Sequence, residues 1–203
     1  MIITTASFKG GVGKSISCLH IANYLAIRRG ANPVIVVDGD KNQTLIQWAE
    51  RGRERLPFTV CRDHDVPDDF AGDLVIDTPG NIEDEQLLFL AGSSDLIVIP
   101  TLPAAFSLES TIATLARLST LGKDRYRILL TSVPPKPSKA GERAATAIDA
   151  TELPRFNQFI ARRAVFQECE LTGLPCNQLK GDAAAAAWKD YTEVGKELMK
   201  GLK

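Results

Sequence analysis

The sequence predicts an α/β protein built on a doubly wound, mostly parallel sheet flanked by helices. Three observations predict it. Short β-branched and apolar runs alternate with longer amphipathic stretches along the chain. Val34–Asp38 (VIVVD), Leu74–Asp77 (LVID) and Leu96–Ile99 (LIVI) are apolar almost throughout, the pattern of strands buried on both faces of a parallel sheet. No low-complexity linker separates the repeated units, so residues 1–203 are expected to form one domain.

Taken in order, Ile2–Ser7 reads as the first strand, followed by a glycine-rich turn and a helix over Lys14–Arg29 that Gly30 ends. After the strand Val34–Asp38 come a helix at Thr44–Arg51 and a short strand at Phe58–Cys61. Trp48 shares a helical face with Leu45 and Arg51, which suggests packing. Strand Leu74–Asp77, helix Glu83–Ala91, strand Leu96–Ile99, helix Ser107–Leu121 and strand Tyr126–Thr131 continue the alternation. Helices at Ala140–Ala150 and Arg163–Thr172 flank a short strand at Gln158–Ile160. Asp182–Leu202 is the closing helix. Its Trp188, Tyr191, Val194, Leu198 and Leu202 recur at helical spacing. Its polar face mixes Asp190, Glu193 and Glu197 with lysines, which favours core packing over a membrane-surface helix. On such sheets ligands bind beyond the carboxyl ends of the strands.

Composition excludes several classes. Hydrophobic residues are 44% and charged residues 24% of the chain, and the net charge is −1, so overall charge gives no drive toward nucleic acid or membrane. The start, MIITTASFKG, lacks a basic segment and a long apolar segment, and no run approaches the about 18 apolar residues of a membrane span. A soluble, cytoplasmic protein is expected. Cys18, Cys61, Cys169 and Cys176 are scattered without a C-x-x-C pair, which opposes zinc or iron–sulfur ligation. His20 and His64 are isolated, without metal partners at ligand spacing.

The chemistry concentrates after the first strand, in Phe8-Lys9-Gly10-Gly11-Val12-Gly13-Lys14-Ser15. Glycines let the backbone curl so that successive N–H groups, Gly10 to Ser15 and on to Ile16, cradle phosphate oxygens at a helix N-terminus. Lys14 can reach the β- and γ-phosphates of ATP, and the Ser15 hydroxyl can ligate Mg²⁺. The plain alternative is a glycine-rich turn with two solvated lysines. Leu74–Asp77 with Thr78-Pro79-Gly80 looks like a Walker B strand: Asp77 can hold Mg²⁺ through water, and Thr78 and Pro79 can sense the γ-phosphate. Asp38 and Asp40 end the second strand at the same mouth, although such aspartates also cap helices.

The pattern K-G-G-x-x-K-[ST] at Lys9–Ser15 resembles the deviant Walker A of the ParA/MinD superfamily. The chain is most similar to the small ParF-like ATPases of plasmid partition, and the likeness includes a P-x-x-P segment at Pro100–Pro103. The resemblance implies a P-loop NTPase fold and Mg²⁺-dependent ATP hydrolysis. It implies that Lys9 crosses a homodimer interface to the partner's nucleotide, though a monomer could place it on its own phosphate. By the same resemblance Asp38 belongs to the metal shell, Asp40 positions the attacking water, and Pro134 and Pro175 lie near adenine. Lys41-Asn42-Gln43 lacks the family's usual proline, and Ile16 replaces a second hydroxyl residue. The implied partners are a second copy of the chain, nonspecific DNA and an adaptor of ParB or cargo type, with nucleoid association in the ATP state and no membrane. The cargo would be a plasmid centromere complex, which the short form favours, or an assembly such as a carboxysome. Candidate DNA-contacting groups are Lys123, Arg125 and Arg127; Lys136, Lys139 and Arg143; Arg155, Arg162 and Arg163; and Lys189, Lys196, Lys200 and Lys203. Each could equally be a solvated face. A MinD-like membrane regulator and a metabolic enzyme of dethiobiotin-synthetase type are the other readings, and an iron–sulfur carrier is opposed by the unpaired cysteines.

Overall fold

The computed structural model describes all residues except Phe8, Arg29, Asn81, residues 118–121 and Lys203. Expectations that fall on these, including helix ends at Arg29 and Leu121 and the lysine at 203, lie outside the described residues. The elements run β1 (Ile2–Thr5), α1 (Lys14–Ile27), β2 (Val34–Asp38), α2 (Thr44–Gly52), β3 (Thr59–Cys61), β4 (Asp73–Asp77) and α3 (Asp84–Ser93), then β5 (Leu96–Thr101), α4 (Ala105–Arg117), β6 (Tyr126–Leu130), α5 (Ala140–Asp149), α6 (Val165–Thr172) and α7 (Asp182–Gly201). The six strands form one sheet in the order β3-β2-β4-β1-β5-β6, and every named pair is parallel.

Strand periodicity divides the core into two layers. Along β5, Leu96 and Val98 join Ile3, Val36 and Val75 beneath α1 and α7. Ile97 and Ile99 turn to the opposite face with Ile128, Leu130 and residues of α3, α4 and α5. That alternation is why these strands read as unbroken apolar runs: both faces are covered. The last helix buries Tyr191, Val194 and Leu198, so its apolar stripe belongs to the core. No helix among the described residues is long and apolar enough to cross a membrane.

The chain leaves β1 toward β2 but leaves β4 toward β5 on the other side. The crevice at this reversal opens between the carboxyl ends of β1 and β4. The segment expected as a strand at Gln158–Ile160 is not one. It follows the sheet edge through two isolated bridges, Ile128 with Arg155 and Val133 with Ala161. Phe156 and Ile160 donate to the Ile128 and Leu130 carbonyls of β6, while carboxylates from α7 hold other amides of the segment: Glu197 accepts from Asn157 and Gln158, and Asp190 from Ala161.

Candidate nucleotide site

Gly11 and Gly13 adopt φ of 74° and 79°, conformations that side chains other than glycine rarely take, and this curls the turn before α1 begins at Lys14. No acidic residue occupies the first turn of α1, which leaves the positive end of its dipole uncompensated. The turn is tied down at two points. Ser7 Oγ donates to the Lys9 carbonyl at 3.1 Å, and Thr131 Oγ1, just past β6, donates to the Val12 carbonyl at 2.7 Å. Lys9, Gly10 and Gly11 are exposed, whereas Val12 and Lys14 are buried and Gly13, Ser15 and Ile16 are half-buried.

Parallel register sets Thr5 and Asp38 level with Asp77 from either side. Asp77 thus becomes the hub. Lys14 Nζ lies 2.6 Å from its Oδ1, Ser15 Oγ donates to Oδ2 at 2.7 Å, and Thr5 Oγ1 donates to Oδ1 at 3.1 Å. Asp77 is 1% exposed. Burial draws its carboxyl above the ordinary range, against the opposing pull of Lys14, Ser15 and Thr5. Gly39 permits the close approach of β2: its N–H donates to the Asp77 carbonyl at 2.9 Å, and a Cβ would sit 2.7 Å from that oxygen.

The other expected residues distribute as follows. Asp38 is engaged with backbone: Oδ1 accepts from Asp40 N at 3.1 Å, and Oδ2 accepts from Leu45 N at 2.9 Å and Ile46 N at 3.1 Å. It thereby caps α2, whose own N-cap, Gln43, provides no side-chain bond. Asp40 is half-exposed, and its Oδ1 accepts from Asn42 N at 2.9 Å. With Asp77, Thr78, Pro79, Arg62, Phe89 and Leu90 it lines a cavity of about 420 Å³. Thr78 Oγ1 donates to the Thr5 carbonyl at 3.0 Å. Pro134 is half-buried in the loop that begins at Thr131. Pro175 is buried, beside Cys176, whose N–H donates to His20 of α1. Sequence reasoning missed Thr5 and Thr131, since a threonine at a strand end shows its partner only when the strands are ordered.

Of the basic groups, several are already occupied. Arg155 pairs with Asp149, Arg163 with Asp190, Lys123 with Glu152 and Lys196 with Glu193, while Arg125 donates to the carbonyls of Ala91 and Ser94. Lys136, Lys139 and Arg143 are exposed and make no ion pair within the described residues.

A strand, a glycine turn, an uncompensated helix N-terminus and an acid-ended neighbouring strand holding the turn's lysine define a P-loop nucleotide-binding protein. The chain belongs to the CobQ/CobB/MinD/ParA nucleotide binding domain family, whose model matches residues 3–176. It is similar to the maintenance of carboxysome distribution protein A of Gloeobacter kilaueensis, with 29% identity over 97% of this chain and 93% of that one. A protein ParA of Rhizobium radiobacter is 30% identical over 55% of this chain and 52% of its own. Among solved structures, a plasmid partition protein of Borrelia burgdorferi bound to AMPPNP shares the fold with a TM-score of 0.71 and 17% identity, covering 98% of each chain.

Proposed function

We propose that this chain is a Mg²⁺-dependent ATPase that dimerises around bound ATP, holds nonspecific DNA in that state, and positions a large protein assembly. An adaptor carried by the cargo would stimulate hydrolysis and reset it. The observation that carries the reading is the cluster of Lys14, Ser15 and Asp77 directly behind the glycine turn.

A triphosphate bound on the turn amides offers Lys14 more negative charge than Asp77 does, so the ammonium moves onto the β- and γ-phosphates. Ser15 Oγ and the Asp77 carboxylate are then left together as hard oxygen donors, which fit Mg²⁺. The ion's chemistry there is neutralisation of phosphate charge. Asp38, whose oxygens accept three amide protons, would act on the metal only through water. Asp40 uses Oδ1 on Asn42 N and keeps Oδ2 to take a proton from the attacking water. Thr78 and Pro79 border the cavity where a γ-phosphate would be sensed, and half-buried Pro134 and buried Pro175 are the residues proposed near adenine. Lys9 is exposed at the lip, where it can reach a nucleotide held by a second copy.

Similarity along nearly the whole chain to a protein named for carboxysome distribution, against half the chain for ParA, supports a protein assembly over a plasmid as the cargo. The DNA surface is assigned to Lys136, Lys139 and Arg143, in the segment that follows the Thr131 anchor of the phosphate loop. Co-sedimentation with DNA in ATP, in ADP and without nucleotide tests the reading. Retention is expected in ATP alone, falling steeply with salt, and Lys139→Ala with Arg143→Ala should weaken it. Retention indifferent to nucleotide would overturn the proposal.

A further inference from the structure

His20, on α1, lies far in sequence from Cys169, on α6, and from Cys176, at the start of the 3-10 turn Cys176–Gln178. The fold brings them together. Their ligand atoms all lie within 4.8 Å of one another, with His20 Nε2 3.1 Å from Cys176 Sγ and the two sulfurs 3.4 Å apart. All three residues are 0% exposed.

We propose that His20, Cys169 and Cys176 form a three-ligand site for a thiophilic divalent ion of the zinc type. Tautomer, charge and shape support it together. His20 Nδ1 lies 2.8 Å from the Ile16 carbonyl, which can only accept, so Nδ1 carries the proton and Nε2 presents its lone pair toward the thiols. A metal-ligating histidine is commonly fixed by such an outer-shell bond. Two thiolates and a neutral imidazole around a divalent ion sum to no net charge, which a dry interior tolerates. Sulfurs sharing such an ion stand about 3.7–4 Å apart, from metal–sulfur bonds of about 2.3 Å. The pair therefore needs to open by only a few tenths of an ångström.

The walls are apolar and ordered. Tyr191 stacks on the His20 ring at 4.5 Å, Phe166 meets its edge at 5.8 Å, and Trp48 Nε1 holds the Cys169 carbonyl at 2.7 Å. One contact must be surrendered: the Cys176 N–H now donates to Nε2 at 3.1 Å. Once bound, the ion would pin α6 and its following turn to the helix that carries the phosphate loop. This assignment does not depend on nucleotide chemistry.

The full chain, reduced and stripped of metal, is titrated with Co²⁺ and then Zn²⁺. A single equivalent of cobalt should produce a thiolate-to-metal charge-transfer band that zinc bleaches. Zinc-edge X-ray absorption should show two sulfur ligands and one imidazole. His20→Gln and Cys169→Ala should each weaken binding beyond the about 10–100-fold that loss of an outer-shell partner costs. If a variant fails to fold, the absorption measurement on the unaltered chain still decides. An oxygen-only shell, no charge-transfer band, or Cys169 and Cys176 recovered joined as a disulfide would each overturn the site.

Discussion

Lys14 and Asp40 sit at one mouth but are expected to fail in different ways. Lys14 holds a buried carboxylate at 2.6 Å, and on the proposed reading a bound phosphate would draw it away. An ammonium donating to two phosphate groups contributes about 3 kcal/mol or more, which is about 100-fold in affinity. Lys14→Ala should therefore lose ATP binding by that factor, measured by nucleotide titration. Lys14→Gln keeps a donor for Asp77 and separates lost binding from lost folding, and wild-type affinity in both would reject the phosphate assignment. Among the described residues the Asp40 side chain bonds only the Asn42 amide, so Asp40→Ala should bind ATP normally while turnover drops by about 100-fold or more. Unchanged turnover would remove Asp40 from the reaction.

At the scale of the element, Asp38 joins β2 to α2. Three amides converge on its carboxylate, one in the strand-end loop and two in the first turn of the helix. Replacing a capping oxygen with a methyl group costs about 0.5–2 kcal/mol, and here all three donors would lose their acceptor. Asp38→Ala should destabilise the fold by about 2 kcal/mol in a denaturant melt, with part of the loss in the α2 segment by hydrogen exchange. An unchanged melting curve would show that water satisfies these amides instead. The pairing also explains why sequence pattern alone could not choose between cap and metal ligand: both readings place an aspartate at the same strand end.

At the scale of the whole molecule, Asp73 ties the start of β4 to the end of α1. Its carboxylate, 1% exposed, lies 3.0 Å from the amino group of Met1 and 3.0 Å from Arg28. Burial alone would raise its affinity for a proton, but the Met1 ammonium, Arg28 and Asn32 outweigh burial and hold the carboxyl below its ordinary value. A depressed carboxyl stabilises the fold above its unfolded-state value of about 3.9 and loses that contribution as pH falls through the folded one. Asp73→Asn should therefore be less stable than wild type by about 2 kcal/mol at neutral pH. The two melting temperatures should converge in increasingly acid buffer, and a gap independent of pH would deny the charge its role. On the proposed reading, Lys9, exposed at the lip of the site, would reach the nucleotide of a second copy. Lys9→Ala is expected to lose the ATP-dependent rise in mass seen by light scattering, and an unaltered rise would return Lys9 to a local role.

The strand and helix types, the glycine turn and the acid-ended strands were legible in the sequence because they rest on local physics. Side-chain periodicity marks which faces are covered, and glycines at 11 and 13 permit the backbone the turn requires. The irregular edge at Gln158–Ile160 was not legible, because Glu197 and Asp190 reach it from a helix far along the chain. Nor could spacing foresee that Asp77 takes Lys14, that Asp38 serves backbone amides, that Pro175 is sealed from solvent, or that an isolated histidine meets two scattered cysteines. Sequence by itself determined which groups could do chemistry. Only the order of the strands and the packing of α6 and α7 decided which groups meet, because a charge or a thiol takes its partner from whatever the fold delivers within a few ångströms.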